Sequence, residues 1–239
     1  MGYKKLVRFA AIKEFPNVLE YPQGMPDRWG AFFGNDHPLT LELACGKGEY
    51  TLGLGKMHGE RNYIGVDVKG NRIWVGAKKA LQDQLRNVAF LRSQIELLPT
   101  YFSPGEVNEI WITFPDPQLQ VSRAKKRLTY PRFLHLYREI LSPQGQIHLK
   151  TDSPDLFEFT RKVIDLYDLP LYESDADLYA REVLSPELGI RTHYEGLDIA
   201  GSRRVHYIRF GLADTLGDER RAEALQEWLH PELKVDGGG

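Results

Sequence analysis

The chain has 239 residues, a formal net charge of −2 and a single cysteine, Cys45. This length suffices for one large α/β domain, the charge gives no overall signal for nucleic-acid binding, and one cysteine excludes an internal disulfide and any multi-cysteine metal site. No apolar run approaches the roughly 20 residues that span a bilayer, and the N-terminus lacks the apolar stretch of a secretory signal. We therefore expect a cytoplasmic protein without a membrane segment.

Residues 1–37 are rich in proline, glycine and aromatic residues, which predicts an irregular N-terminal arm ahead of a main domain at residues 38–239. Basic side chains cluster at the start of this arm, at Lys4, Lys5, Arg8 and Lys13. Such a patch can bind phosphates even in a slightly acidic chain. Charge alone is equally consistent with a solvated surface.

Beyond residue 38 the sequence alternates between strand and helix patterns. Apolar runs with the length of buried strands occupy 39–44, 63–68, 88–91, 109–113 and 146–150. A segment between them has helical periodicity, with Ile73, Ala77, Leu81 and Leu85 at four-residue spacing. This alternation predicts a parallel sheet covered by helices on both faces. A late apolar run at 205–210 has no following crossover and predicts an antiparallel edge strand, before a last helix at 219–229.

Two further helices begin with capping signals. Thr129 lies shortly before Pro131, and Ser153 lies directly before Pro154. A hydroxyl side chain followed by proline is typical of a helix N-terminus. We expect N-caps at Thr129 and Ser153.

The loop after the first strand contains Gly46 and Gly48, which let the backbone approach a ligand closely. Asp67 ends the second strand, 21 residues after Gly46, where α/β folds place an acid on ribose hydroxyls. A dinucleotide fingerprint needs a third glycine, but Glu49 occupies that position, so a ligand with adenosine and no pyrophosphate fits better. S-adenosylmethionine is the common ligand of this kind, and Glu42 would face its cationic methionine end. The glycines alone are also consistent with a tight turn that binds nothing.

Asp116 lies between Pro115 and Pro117, at the end of the fourth predicted strand of the main domain. An acid held there, beside a nucleotide site, indicates chemistry on a second substrate and therefore a transferase. Basic residues follow this motif at Arg123, Lys125, Lys126, Arg127 and Arg132.

Neither the cysteine nor the histidines indicate a separate site. Cys45 lies in the glycine loop with no neighbouring base, which favours a small packed side chain over a nucleophile. The seven histidines lack the paired spacing of a metal site. We expect no metal.

The chain resembles the bacterial tRNA (guanine-N7-)-methyltransferases of the TrmB type in six motifs, which are LELACGKGE, YIGVD, ITFPDP, KKRLTYPRF, HLKTD and IRTHYEG. The resemblance extends from the N-terminal arm to about Gly196. It implies the Rossmann-like class I methyltransferase fold, an α/β fold with a mostly parallel seven-stranded sheet, helices on both faces and a late antiparallel strand. It also implies methyl transfer from S-adenosyl-L-methionine to N7 of guanosine at position 46 in the tRNA variable loop, by a monomer or a homodimer.

The resemblance assigns roles by motif. The implied cofactor contacts are Glu42, Gly46, Gly48, Asp67, Gln94 and Asp116, of which Asp116 is also the implied catalytic residue. The implied substrate contacts are Asp152, Thr192 and Glu195 for the target nucleotide, with Arg123, Lys125, Lys126 and Arg127 for tRNA phosphates. The arm at residues 1–37 is a further candidate for tRNA contact.

The sequence departs from the family pattern directly after Asp116. The family often has a tryptophan and several lysines there, whereas residues 118–122 contain no basic side chain and Gln120 occupies the place of the usual substrate lysine. Phosphate contacts would therefore come from the basic cluster that begins at Arg123.

Two other interpretations stay open. An enzyme that methylates an amine, such as adenine N6 or glutamine, would resemble this chain up to the fourth strand but carries a motif like NPPY, where this chain has an acid. The second interpretation is a non-catalytic protein that binds tRNA or the cofactor, since the family includes subunits that need partners.

Overall fold

The computed structural model describes residues 3–193, 195 and 204–231, with side chains from residue 7 onward. The strands of the described chain are β1 (Val18–Glu20), β2 (Leu39–Leu43), β3 (Asn62–Asp67), β4 (Val88–Arg92), β5 (Val107–Thr113), β6 (Leu141–Thr151), β7 (Leu171–Asp175) and β8 (His206–Phe210). Its α-helices are α1 (Tyr3–Ala11), α2 (Trp29–Phe33), α3 (Glu49–Met57), α4 (Gly70–Gln82), α5 (Pro131–Ile140), α6 (Pro154–Leu166) and α7 (Glu219–Leu229). Short 3-10 helices lie at Ile12–Glu14, Ile95–Thr100, Val121–Lys126, Leu178–Ala180 and Asp214–Gly217.

All eight strands form one sheet, in the order β1-β4-β3-β2-β5-β6-β8-β7. The pairs from β1 to β6 are parallel, and β8 is antiparallel to both β6 and β7. The chain passes from β2 outward through β3 and β4, then returns to place β5 on the other side of β2. The strand order therefore reverses between β2 and β5, where ligands bind in open parallel sheets.

Apolar side chains cover both faces of the sheet. Along β5, Ile110 and Ile112 are fully buried in one cluster, whereas Trp111 belongs to a second cluster with Tyr50 of α3. This alternation follows from the two-residue period of a strand. Burial on both faces explains why the central strands have the continuous apolar runs seen in the sequence.

The predicted irregular arm is wrong in its local structure. Residues 3–33 contain α1, α2 and β1, and β1 pairs with β4 at the edge of the sheet. Trp29 is fully buried, stacks on Phe102 at 5.1 Å between ring centroids and donates from Nε1 to the carbonyl of Tyr101 at 2.9 Å. Trp29, Phe32 and Phe33, which suggested an arm, pack in the core, and contact of this region with tRNA stays a prediction.

The predicted fold class is confirmed, but the sheet has eight strands where seven were expected. β1 has only three residues, and β7 lies at the edge with exposed or half-buried side chains, so neither has an apolar run. The late strand β8 is antiparallel as predicted, but it is not the edge strand because β7 lies outside it.

Of the two predicted helix N-caps, one is confirmed and the other is wrong. Ser153 is the N-cap of α6, and its hydroxyl accepts from the amide of Leu156 at 3.3 Å. The prediction for Thr129 is wrong, because α5 begins after Tyr130 and the Thr129 hydroxyl instead bonds that of Thr160 at 2.8 Å, in the core.

Candidate active site

A cavity of about 680 Å³ lies at the carboxyl ends of β2, β3 and β5, where the strand order reverses. Of the residues that the sequence predicts for the site, those that line the cavity are Glu42, Gly46, Asp67, Asp116, Asp152 and Thr192. They come from segments 150 residues apart (Glu42 to Thr192) in the chain. The parallel strands bring most of them together, because β2, β3, β5 and β6 end on the same side of the sheet, and Thr192 comes from the segment between β7 and β8.

Asp67 organises the loop between β2 and α3. Its Oδ2 accepts from the amide of Gly46 at 2.9 Å, and its Oδ1 accepts from the amide of Lys69 at 2.8 Å. Each carboxylate oxygen has further acceptor capacity beyond one such bond. The side chain is 7% exposed and lines the cavity, so it is placed to accept hydrogen bonds from a ligand's hydroxyl groups.

Glu42 ties three elements together beneath the cavity. Its Oε2 accepts from the amide of Thr51 at 2.8 Å and from the hydroxyl of the same residue, and its Oε1 accepts from the hydroxyl of Thr113 at 2.9 Å. Burial raises the pKa of this carboxyl to about 7, against the opposing effect of these hydrogen bonds. A cationic ligand in the cavity would favour the ionised form, so the site is suited to a positive charge.

The two glycines of the loop have different surroundings. Gly46 has a φ of +58° and lines the cavity. Gly48 has a φ of +71°, caps α3 and lies outside the cavity lining. A Cβ atom at Gly48 would lie 2.4 Å from Cε1 of Phe90, so close packing against β4 accounts for this glycine, and its contact with a cofactor stays a prediction.

Gln94 lies in an adjoining cavity of about 400 Å³, which shares Ala44 and Asp67 with the larger one. Lys126 lines the same smaller cavity, although the sequence predicts that it binds tRNA phosphate. Lys126 therefore lines the same cavity as the predicted cofactor contact Gln94.

The loop after β5 carries Asp116 on an irregular backbone. Phe114 and Gln118 have positive φ angles of 47° and 48°, which side-chain-bearing residues rarely adopt. The amide of Gln118 donates to Oδ1 of Asp116 at 3.1 Å, and the amide of Phe114 donates to the carbonyl of Lys150 at 2.8 Å. Asp116 is exposed at the cavity, so its carboxylate is accessible to a substrate.

Arg127 does not fit its predicted role as a phosphate contact. It is 5% exposed, and its guanidinium donates to the carbonyls of Pro117 at 3.2 Å and Gln118 at 3.2 and 3.3 Å. It also stacks on the ring of Phe159 at 4.5 Å. Because Arg127 is buried and bonded to these carbonyls, it supports the Asp116 loop. Arg123 and Lys125, in contrast, are exposed.

Asp152 and Thr192 also line the cavity. Asp152 is half-buried after β6, directly before the cap of α6. Thr192 is 9% exposed, and its hydroxyl accepts from the amide of Glu195 at 3.2 Å. Both residues line the same cavity as Asp116, and their contact with the target nucleotide stays a prediction.

The contact of Glu195 with the target nucleotide stays a prediction, because this side chain is bonded within the protein. Its side chain is 3% exposed and is not part of the cavity lining. One carboxylate oxygen pairs with Nζ of Lys150 at 3.3 Å, and the other accepts from the hydroxyl of Tyr179 and from Arg191 at 3.2 Å. The carboxylate is fully engaged within the protein.

Lys150 is the residue that the sequence interpretation missed. Its side chain is completely buried, and burial lowers the pKa of its ammonium group to about 8. The sequence did contain a signal for Lys150, because it lies inside the apolar run of β6. Charged side chains are rarely buried without a partner, so a lysine at this position indicates a buried interaction.

The described residues contain no group of three or more His, Cys, Asp or Glu side chains placed to hold a metal ion. Nor does any helix of the described chain have the length and apolar character needed to cross a membrane. Cys45 is buried, and burial raises the pKa of its thiol well above the ordinary value, which agrees with a packed side chain.

The fold and this cavity together define a class I methyltransferase that uses S-adenosyl-L-methionine. The reversal point of the sheet, the glycine turn, the acid at Asp67 and the buried Glu42 all suit an adenosine ligand with a cationic tail. Solved structures agree in fold. The 16S rRNA methyltransferase KamB matches with a TM-score of 0.60 at 15% identity over 82% of this chain and 99% of that chain. A variant of the 16S rRNA (adenine(1408)-N(1))-methyltransferase from Catenulisporales acidiphilia, with cosubstrate SAM, matches with a TM-score of 0.55 at 14% identity over 79% of this chain and 91% of that chain.

Sequence comparison identifies the family of methyltransferases to which the chain is similar. Residues 36–201 match a family model described as "Putative methyltransferase". A tRNA (guanine-N(7)-)-methyltransferase of Porphyromonas gingivalis is 50% identical over 85% of this chain and 87% of its own length. The enzyme of the same name from Bacteroides thetaiotaomicron is 45% identical over 89% of this chain and 87% of its own. The chain belongs to the tRNA (guanine-N(7)-)-methyltransferase family.

Proposed function

We propose that this protein transfers the methyl group of S-adenosyl-L-methionine to N7 of guanosine at position 46 in the variable loop of tRNA. The observation that carries the proposal is the shared cavity, in which the cofactor-type acids Glu42 and Asp67 lie beside the exposed carboxylate of Asp116. Relatives named tRNA (guanine-N(7)-)-methyltransferase support the choice of substrate.

Two carboxylates bind the cofactor, and they have different roles. Asp67, held by the amides of Gly46 and Lys69, accepts from the ribose hydroxyls. Glu42 provides negative charge below the cationic methionine end. Gln94 and Lys126 flank the adjoining cavity and contact the adenine end.

The chemistry requires positioning more than proton transfer. Guanine N7 carries an exposed lone pair, so no general base has to remove a proton from it. S-adenosyl-L-methionine, when bound, supplies a methyl carbon activated by its sulfonium. The protein orients N7 toward that carbon, and orientation of this kind lowers a barrier by several kcal/mol.

Asp116 stabilises the charge that develops during the reaction. Methylation at N7 leaves a positive charge on the purine, and an oriented carboxylate stabilises such a charge without further reorganisation. Pro115, Pro117 and the guanidinium of Arg127 hold the loop around it. Asp116 thus acts by electrostatics and by orienting the base edge.

The remaining substrate contacts divide between base and phosphate. Asp152 and Thr192 line the same cavity as Asp116 and hold the target nucleotide. The exposed side chains of Arg123 and Lys125 contact tRNA phosphates. The basic arm contributes Arg8, whose guanidinium lies over the ring of Trp74 at 4.6 Å from its centroid. A cytoplasmic location follows from a tRNA substrate.

The test is incubation with methyl-labelled cofactor and unmodified tRNA, followed by nucleoside analysis and mapping of the modified position. We expect labelled 7-methylguanosine at position 46, and no label in a control tRNA with adenosine at that position. Label on an exocyclic amine would instead support an amine methyltransferase. Cofactor binding without any transfer would support a non-catalytic binding protein.

A further inference from the structure

The ammonium group of Lys150 is surrounded by acceptors from one segment of the chain. Its Nζ donates to the carbonyls of Leu188 at 3.0 Å and Ile190 at 2.9 Å, and to Oε2 of Glu195 at 3.3 Å. A lysine has three donors, so these three bonds use all of them. Every partner lies in residues 188–195, the segment that contains Thr192.

The same ammonium group also lies near aromatic rings of three other elements. It lies 5.3 Å from the ring centroid of Tyr50 in α3, 5.7 Å from that of Phe114 and 5.2 Å from that of Tyr179. Phe114 directly precedes Pro115 and Asp116, and its amide donates to the backbone carbonyl of Lys150. One residue of β6 therefore contacts the Asp116 loop and the Thr192 segment together.

Glu195 completes this arrangement from the opposite end. Its carboxylate receives Lys150, Tyr179 and Arg191, while its own amide donates to the hydroxyl of Thr192. A buried charge is costly unless it is paired and hydrogen-bonded. Each member of the pair therefore holds the other in place, and Thr192 is bonded to one of them.

We propose that the buried Lys150–Glu195 ion pair is a positioning device that holds the Thr192 wall of the cavity at a fixed place relative to the Asp116 loop. Neither side chain is part of the cavity lining, and both act through Thr192 and Phe114. This inference rests on the proposed function, because it assigns Thr192 and Asp116 to the substrate side. It gives Glu195 a supporting role, and the contact of Glu195 with the target nucleotide stays a prediction.

A double-mutant cycle separates positioning from stability. Lys150→Met and Glu195→Gln each leave one buried partner unpaired and should lower Tm. The double variant removes both charges, and such replacements are often neutral for stability, so Tm should largely recover. The single-turnover rate with tRNA should stay lower by about 10- to 100-fold, at an unchanged Kd for cofactor.

Amide hydrogen exchange provides a readout that does not depend on activity. The amides of Gly189 and Ile190 donate to backbone carbonyls of residues 185–187, and the amide of Glu195 donates to the hydroxyl of Thr192. Exchange of these three amides should accelerate in both single variants and in the double variant. The control is Arg221→Met with Asp168→Asn, which removes an ion pair of 2.6 Å at the far end of α6 and should change neither rate nor exchange in 188–195.

A pH profile at saturating cofactor and tRNA adds a third readout. Burial lowers the pKa of Lys150 to about 8, so its positive charge is lost above that pH. The charged and titratable groups that face it are Glu195, Arg191, Tyr50 and Tyr179, and burial raises the pKa of both tyrosines. Turnover and protection of 188–195 should both fall as the pH rises through about 8, and Lys150→Arg should remove that fall.

The outcomes distinguish this inference from the proposed function. Absence of 7-methylguanosine with the unaltered protein would contradict the function, and amide exchange would still test the ion pair. Unchanged exchange in 188–195 in the variants would overturn the ion-pair proposal whatever the activity. Recovery of turnover together with Tm in the double variant would also overturn it, because the pair would then act on stability alone.

Discussion

The cofactor half of the cavity is held by backbone amides of neighbouring strands and loops, whereas the substrate half is held by two buried cations. On the cofactor side, Asp67 binds the amides of Gly46 and Lys69, and Glu42 binds that of Thr51. On the substrate side, Arg127 and Lys150 bind carbonyls of loops that no strand pairing supports. Single side-chain changes should therefore disturb substrate handling while leaving the cofactor half intact.

The largest expected effect is at Asp116. Asp116→Ala should reduce methyl transfer by about 10²- to 10³-fold, as expected for loss of one oriented electrostatic group. The Kd for cofactor, measured alongside, tests whether Asp116 also makes its predicted cofactor contact. Asp116→Asn keeps the size and removes the charge, so single-turnover rates for both variants separate charge from orientation. The matched control is Asp155→Asn, another exposed carboxyl at the same cavity. Equal losses at both positions would mean that general negative charge, not Asp116, matters.

Gly48 tests whether the cofactor half depends on packing. Gly48→Ala introduces a Cβ atom 2.4 Å from Phe90 at a φ of +71°, and it should destabilise the fold by about 1–3 kcal/mol because overpacking and positive φ both cost free energy. The measurement is denaturant unfolding. Gly46→Ala is the companion variant, and it should weaken cofactor binding more than Gly48→Ala does. If Gly48→Ala had normal stability but no longer bound cofactor, that result would support the predicted contact of Gly48 with the cofactor.

Glu42 should make cofactor binding depend on pH. Its carboxyl is half-ionised near its pKa of about 7, and a cationic ligand favours the ionised form. Affinity should therefore rise by roughly tenfold from pH 6 to pH 8, with proton release on binding. Calorimetry in two buffers of different ionisation enthalpy measures that release. Glu42→Gln should bind more weakly and without the pH dependence; a pH dependence that persists in this variant would assign it to another group.

The raised pKa of Glu42 also determines how the stability of the ligand-free protein changes with pH. The pKa of Glu42 is raised on folding from 4.5 to about 7, so the folded state binds more protons than the unfolded state between these values. Stability from this group should therefore decrease as the pH rises from 4.5 to 7 and then stay constant. Unfolding at several pH values, compared with Glu42→Gln, checks this window.

The comparison also explains which parts of the site were predictable from sequence. Glu42, Gly46 and Asp67 lie at the ends of apolar runs, and the parallel sheet places those ends side by side. The pattern therefore specified the cofactor half. The partners of Arg127 and Lys150 depend on how irregular loops return to the sheet, for which the chain has no periodic signal. β1 and β7 were missed for a related reason, since short or exposed edge strands have no apolar run.

The smallest expected effect concerns tRNA affinity, and it distinguishes the two kinds of basic residue after Asp116. Arg123 and Lys125 are exposed, so replacing both with glutamine should remove two phosphate contacts. Each lost contact should lower the log–log salt slope of binding by about 0.7 to 0.9. We expect a higher Kd for tRNA at low salt, a flatter salt dependence and little change in the single-turnover rate at saturating tRNA.

Arg127→Met is the matched variant, because it removes one positive charge from the same segment at a buried position. Its guanidinium binds the carbonyls of Pro117 and Gln118, so its loss should lower the rate while leaving the salt slope unchanged. A salt titration of tRNA binding alongside single-turnover rates for both variants makes the comparison. A flatter slope in Arg127→Met would return this residue to the phosphate contacts, and an unchanged slope in the Arg123 and Lys125 variant would mean that these side chains form only a solvated surface.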